Sequence, residues 1–230
     1  MTLTKKLLPM AVSAAIAAPM MFGATVAQAE VSANLGISNM YLWRGQNLTP
    51  DGAAVDGGIQ YDNASGLYAG IWASSEQGGH ETDLYFGYGG SIGDFGYDVS
   101  YWKYLYPEDC SGTPVNCSLG DNDTSEIVLS GSYGPLSAAA YVNVESGQDD
   151  NIYFTLSGEM DKFSLTLGFW NLENAGNEYK HLTLGYAFND DLSFAVSIAD
   201  NDSGFSEEAG NGVEEDPLFQ VRYSKSFDMK

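Results

Sequence analysis

The residues able to carry chemistry are few. Two histidines occur, His80 in a glycine-rich segment and His181 in an alternating apolar stretch. A barrel enzyme acting on lipids needs a histidine held between a hydroxyl and a carboxylate. Serines and acids are plentiful, so they select no triad, and no nucleophile motif, phosphate loop, nucleotide fingerprint or metal cluster accompanies either histidine. The sequence therefore predicts no catalytic residue, no metal and no cofactor, with a lipid-modifying enzyme as the weaker alternative.

Arg44 stands out by rarity, because only seven basic residues follow residue 29. Two readings stay open. It faces the interior of the fold and sets a local field by pairing with acids, or it ends a strand and snorkels to an interface. Acidic residues cluster in two places. Glu108, Asp109, Asp121, Asp123 and Glu126 surround a Gly/Pro/Ser-rich loop, and Asp200, Asp202, Glu207, Glu208, Glu214, Glu215 and Asp216 occupy another. Asp200–Gly204 begins like a calcium loop but lacks the glutamate at its twelfth position. Solvated loops explain these acids, and cation enrichment at a pore mouth is the functional alternative. Cys110 and Cys117 are seven apart in the first loop. In an exported chain this spacing predicts a disulfide, since two thiols with no nearby histidine make a poor metal site.

Export is expected from the N-terminus. Lys5 and Lys6 precede an apolar run from Leu7 to Met21, and Ala27-Gln28-Ala29 supplies a small-x-small cleavage site. This is the pattern of a signal peptide over residues 1–29 rather than a retained helix, leaving a single domain over residues 30–230. Removing it moves the net charge from −22 to −24. A nucleic-acid partner is excluded by that balance, because phosphates demand a basic face.

The elements that must position these residues are strands. Residues 152–160 alternate Ile152, Phe154, Leu156 and Met160 against Thr155, Ser157 and Glu159. Residues 127–133 and 192–198 behave alike. Period-two alternation gives each strand one apolar and one polar face. Twelve candidates follow, at 31–43, 53–62, 66–75, 81–92, 95–106, 124–134, 136–145, 151–160, 162–172, 179–188, 191–200 and 217–227. In strand one the alternation sends Val31, Leu35, Ile37, Tyr41 and Trp43 toward lipid, and Ser32, Asn34, Ser38 and Arg44 toward the lumen. Strand five is ambiguous, with Trp102 and Tyr104 competing against Tyr97, Val99 and Tyr101. Short turns at 63–65, 93–94, 135, 161 and 189–190 alternate with longer links at 44–52, 76–80, 107–123, 146–150, 172–178 and 201–216. Such alternation is that of an all-β, up-and-down transmembrane barrel with tight periplasmic turns, long extracellular loops and, for twelve strands, both termini periplasmic. A soluble β-sandwich also alternates. Against it, Ser, Gly, Thr and Asn dominate the polar faces, charges gather in loops, and Tyr41, Trp43, Tyr61, Tyr106, Phe163, Phe188 and Tyr223 sit near strand ends as interfacial girdles do.

One stretch resembles a known family. Gly36-Ile37-Ser38-Asn39-Met40-Tyr41-Leu42-Trp43-Arg44-Gly45-Gln46 looks like the first strand of the TorF family, in which aromatics precede an Arg-Gly pair often followed by Gln. Gly57–Tyr61 and Ser65–Ser74 are similar to its second and third strands, and Ser224–Phe227 to its closing strand. The resemblance implies an outer-membrane porin and passive transport. The partners expected are outer-membrane lipids, the barrel-insertion machinery through the closing strand around Phe227, and small solutes or cations. Three functional classes follow: a diffusion channel with mild cation preference, a non-conducting structural or adhesive barrel, and an enzyme.

Overall fold

The structure is a computed structural model and describes residues 29–50, 52–77, 79–106, 123–145, 151–172, 179–201 and 216–229. The expected signal peptide up to residue 28 and the expected Cys110–Cys117 disulfide lie outside these residues.

Twelve strands close a barrel: β1 (Glu30–Ser38), β4 (Ala54–Asp62), β5 (Leu67–Glu76), β6 (Gly79–Ile92), β7 (Phe95–Leu105), β8 (Thr124–Tyr133), β9 (Leu136–Asn143), β10 (Asn151–Met160), β11 (Phe163–Leu172), β12 (Tyr179–Ala187), β13 (Leu192–Asn201) and β14 (Leu218–Met229). Two short strands, β2 (Leu42–Trp43) and β3 (Gln46–Asn47), pair with each other and not with the barrel. Every barrel pairing is antiparallel between chain neighbours, and β1 closes the ring against β14 with Val31 opposite Met229 and Ser38 opposite Arg222. Closure gives the barrel no edge strand, as hydrocarbon surroundings require.

The distribution of side chains is inside out. Outward positions carry Leu35, Ile37, Ile59, Ile71, Leu129, Phe154, Leu156 and Ile198, and Phe86 is 60% exposed. Inward positions carry Ser38, Asp56, Ser100, Thr155, Thr166, Thr183, Ser197 and Gln220, all buried. A soluble barrel would reverse this. In water so much exposed apolar surface would cost about 25 cal/mol per Å², and lipid removes the cost. A ten-residue strand, rising about 3.3 Å per residue, crosses a bilayer's apolar band when tilted.

Short turns lie at one end. Gly93 and Asp161 lead two-residue turns with φ of 63° and 56°, and Asn189 accepts the amides of Asp191 and Leu192 through Oδ1. Glu30 stands opposite Asp62 and Met229 opposite Val31, so both chain ends of the barrel lie at this end. At the other end one link is shorter than expected. Strands β5 and β6 pair out to Glu76 and Gly79, because the alternation continues through Ser75 and His80.

The ambiguous stretch at 95–106, which forms β7, resolves cleanly. Ser100, Trp102 and Tyr104 face inward and Val99 outward. The interior therefore has a packed side, where Trp102, Tyr104, Val128, Tyr141 and Tyr153 cluster.

Candidate functional site

The first strand does not run to Trp43. It stops at Ser38, and the physical reason is Asn39. The Asn39 amide donates to the Phe219 carbonyl at 2.9 Å and its Oδ1 accepts the Val221 amide at 2.7 Å. The Asn39 backbone amide still donates to the Val221 carbonyl at 3.2 Å. Beyond that bond its side chain takes the Val221 amide and the Phe219 carbonyl that further strand backbone would use, and the chain is free to turn inward. Gln220 donates to the Met40 carbonyl at 3.0 Å. Leu42 is fully buried against Ala195 on β13 and Leu218 on β14, the wall next to β1. Tyr41 and Trp43, expected toward lipid, are inside: the Tyr41 ring lies 5.8 Å from Trp72 and the Trp43 ring 5.3 Å from Trp170. Tyr106 likewise packs on the interior cluster rather than joining an outer girdle, whereas Tyr61, Phe163, Phe188 and Tyr223 are exposed on the outer face.

The inward segment is a hairpin. Leu42 pairs with Asn47 and Trp43 with Gln46, leaving Arg44 and Gly45 as the two turn residues. Their φ values are 48° and 84°, as a type I′ turn requires. Glycine is needed at 45 for a second reason: a Cβ there would lie 2.6 Å from His181 Cβ and Cγ. The base of the hairpin is tied by Leu48 N to Tyr41 O at 2.8 Å, Tyr41 N to Thr49 Oγ1 at 2.8 Å, and Gln77 N to Leu48 O at 2.8 Å.

At the tip, Arg44 is 3% exposed. Its guanidinium carbon sits 4.4 Å from the Trp43 ring, 4.8 Å from Tyr141, 4.5 Å from Tyr153 and 4.4 Å from Trp170. Nη2 donates to Glu126 Oε2 at 2.5 Å, and the Tyr104 hydroxyl donates to the same oxygen at 2.8 Å. Tyr179 donates to the Arg44 carbonyl at 3.0 Å. Nη1 has no hydrogen-bond partner; the guanidinium lies among rings whose negative faces attract a cation. Register builds the wall: Tyr141 stands opposite Tyr153, and Tyr153 opposite Trp170. Glu126, grouped from sequence with the loop acids, lies on the inward face of β8 because it shares parity with Val128 and Ser130.

The sequence pattern gathers the charges in the loops, but the structure also places acids inside the barrel. Glu81 and Asp83 are fully buried on the inward face of β6, and Tyr41 donates to Glu81 at 3.1 Å. Tyr68 donates to Asp98 at 2.8 Å. Asp56 is held by Arg222 through two bonds of 2.5 and 2.7 Å. The alternation that places these residues inward was visible. Their lumenal role was missed because their strands also carry small polar residues. His181 is also inside. Tyr153 Oη is 2.6 Å from its Nε2, and its Nδ1 is 3.1 Å from Thr183 Oγ1, which is 2.8 Å from Ser197. His80 is exposed.

The remaining predicted rim residues divide. Asp123 accepts the Tyr106 amide at 3.1 Å at the base of its loop, and Asp216 is exposed just before β14. Glu108, Asp109, Asp121, Glu207, Glu208, Glu214 and Glu215, like Cys110 and Cys117, lie outside the described residues. Phe227 is outward-facing opposite Ala33.

Comparison with known proteins places these features in a family. Among solved structures, a KdgM porin aligns over 86% of this chain and 99% of its own, at 11% identity and a TM-score of 0.48. The outer membrane phospholipase A of Escherichia coli aligns over 88% and 96%, at 10% identity and a TM-score of 0.43. A chain solved in work on the in-meso crystallisation of membrane proteins aligns over 86% and 84%, at 11% identity and a TM-score of 0.54, and shares the fold. No curated protein matches. A family model described as "Bacterial protein of unknown function (Gcw_chp)" matches residues 23–209. That match does not carry the TorF name. The chain therefore belongs to the Gcw_chp family of bacterial proteins.

Proposed function

We propose that this protein is an outer-membrane porin-like barrel of the TorF type, through which small solutes or cations diffuse past a mouth narrowed by the Arg44 hairpin. The observation that carries this reading is the charged interior of an inside-out barrel. Asp56, Glu81, Asp83, Asp98 and Glu126 face inward, against Arg44 and Arg222. A wall with that balance favours cations over anions. In this reading the signal peptide is cleaved after Ala29, the strand containing Phe227 engages the insertion machinery, the termini are periplasmic and the long acidic loops are extracellular.

The test is purified protein in planar bilayers under a KCl gradient. Discrete conductance steps and a reversal potential on the cation-selective side support the proposal. Anion selectivity would reject the electrostatic part, and silent membranes at high protein content would reject conduction altogether. The second reading, a non-conducting barrel, draws on the depth of burial at the hairpin: Leu42, Arg44, Tyr153 and Tyr104 are almost fully enclosed. A lipid-active enzyme is disfavoured by His181, which faces the interior and contacts Tyr153 and Thr183 instead of a lipid-accessible serine.

A further inference from the structure

Most of the cage around Arg44 belongs to the barrel and not to the hairpin. Glu126 is on β8, Tyr141 on β9, Tyr153 on β10 and Trp170 on β11, four consecutive strands. Of the cage, only Trp43 arrives with the hairpin. The wall is also fixed independently of Arg44. Tyr104 holds the Glu126 carboxylate at 2.8 Å and His181 holds the Tyr153 hydroxyl at 2.6 Å. The Tyr141–Tyr153 and Tyr153–Trp170 rings pack at 5.4 and 5.3 Å across adjacent strands. Three ring faces and one carboxylate, already oriented, form a receptor for a flat cation. The occupant makes its charge-bearing contacts through the guanidinium group: one bond to Glu126 and four ring contacts, with no hydrogen-bond partner for Nη1.

We propose that this cage is an organic-cation binding site whose resident ligand is the tethered Arg44, and that it takes a free alkylguanidinium once Arg44 is removed. The hairpin is then a plug latched by a ligand of its own chain. A planar, weakly hydrated guanidinium suits stacked rings beside a carboxylate better than a compact, strongly hydrated ammonium does. A short tether gives Arg44 an effective concentration on the order of millimolar, so the intact protein resists competition by dilute solute. The inference concerns binding and holds whether or not the barrel conducts.

Arg44→Asn empties the cage while improving the turn, because Asn-Gly is the preferred type I′ pair. Ethylguanidinium, ethylammonium and sodium chlorides at matched ionic strength are titrated into refolded wild type, Arg44→Asn and Arg44→Asn/Glu126→Gln. Tryptophan fluorescence is the readout, since Trp43 and Trp170 line the cage. Arg44→Asn should saturate with ethylguanidinium at least about tenfold more tightly than with ethylammonium. The double variant should lose about tenfold or more, and wild type should not respond in the low millimolar range. Equal responses to the two cations, or no difference between the single and double variants, overturn the proposal. If Arg44→Asn folds poorly, refolding yield becomes the readout. Recovery with ethylguanidinium alone supports the site, and recovery with neither cation or with both equally refutes it.

Discussion

The buried pair of Arg44 and Glu126 gives a prediction whose size follows from its surroundings. The two side chains are 2% and 6% exposed. Removing one partner leaves a charge in a poorly solvated place, which costs about 3–5 kcal/mol for a buried pair. Glu126→Gln keeps a neutral acceptor for Nη2 and for the Tyr104 hydroxyl, so the lower end applies, about 3 kcal/mol. Arg44→Met removes the cation and its four ring contacts but fills much of the same volume. It leaves Glu126 with the Tyr104 hydroxyl, and a similar loss of about 3 kcal/mol is expected. The double variant has no buried charge left at this point, so its cost should fall short of the sum by about 2 kcal/mol. The assay is reversible unfolding of the barrel in phospholipid vesicles, extrapolated linearly to zero denaturant. The denaturant must be urea, since guanidinium is the cation the cage is built around. Additivity within about 0.5 kcal/mol would mean that the two residues do not feel each other, and the account of the hairpin as an electrostatically latched element would fall.

Two other outcomes follow from the geometry. Gly45→Ala forces a Cβ onto His181 at a φ of 84°, and should cost about 2–3 kcal/mol, measured in the same urea assay. On the outer face, Leu156→Arg in mid-strand should destabilise by about 2–4 kcal/mol, whereas Met160→Arg at the turn end should cost about 1 kcal/mol or less. Equal costs at the two positions would contradict the lipid-facing assignment.

Most of the barrel was legible because its physics is local. Alternation such as Ile152/Phe154/Leu156 against Thr155/Ser157 specifies a strand and its outward face together, and Gly93-Asp94 and Asn189-Asp190 mark the turns that reverse it. The plug was not legible as a plug. Ile37, Tyr41 and Trp43 continue the period of two, so the sequence reads as one long strand. What breaks it is a long-range event: Asn39 bonding to Phe219 and Val221, 180 and 182 residues away. A local signal was present in Arg44-Gly45, a glycine placed where a two-residue turn needs positive φ, flanked by residues able to pair. The cage was invisible for a similar reason. Glu126, Tyr141, Tyr153 and Trp170 converge only through the registers of four strands, and no spacing along the chain announces it.

The position of Asn39 has a consequence for assembly. Its partners lie on β14, so the hydrogen bonds that turn the chain inward exist only when the first and last strands meet. A nascent barrel with an open seam lacks the anchor that seats the hairpin. Plug insertion is therefore timed by closure, the step with the greatest chain separation and the largest loop-closing entropy to overcome. The fluorescence of Trp43 and the compact gel mobility of a closed barrel should appear in the same kinetic phase of refolding, and an earlier tryptophan change would separate the two events.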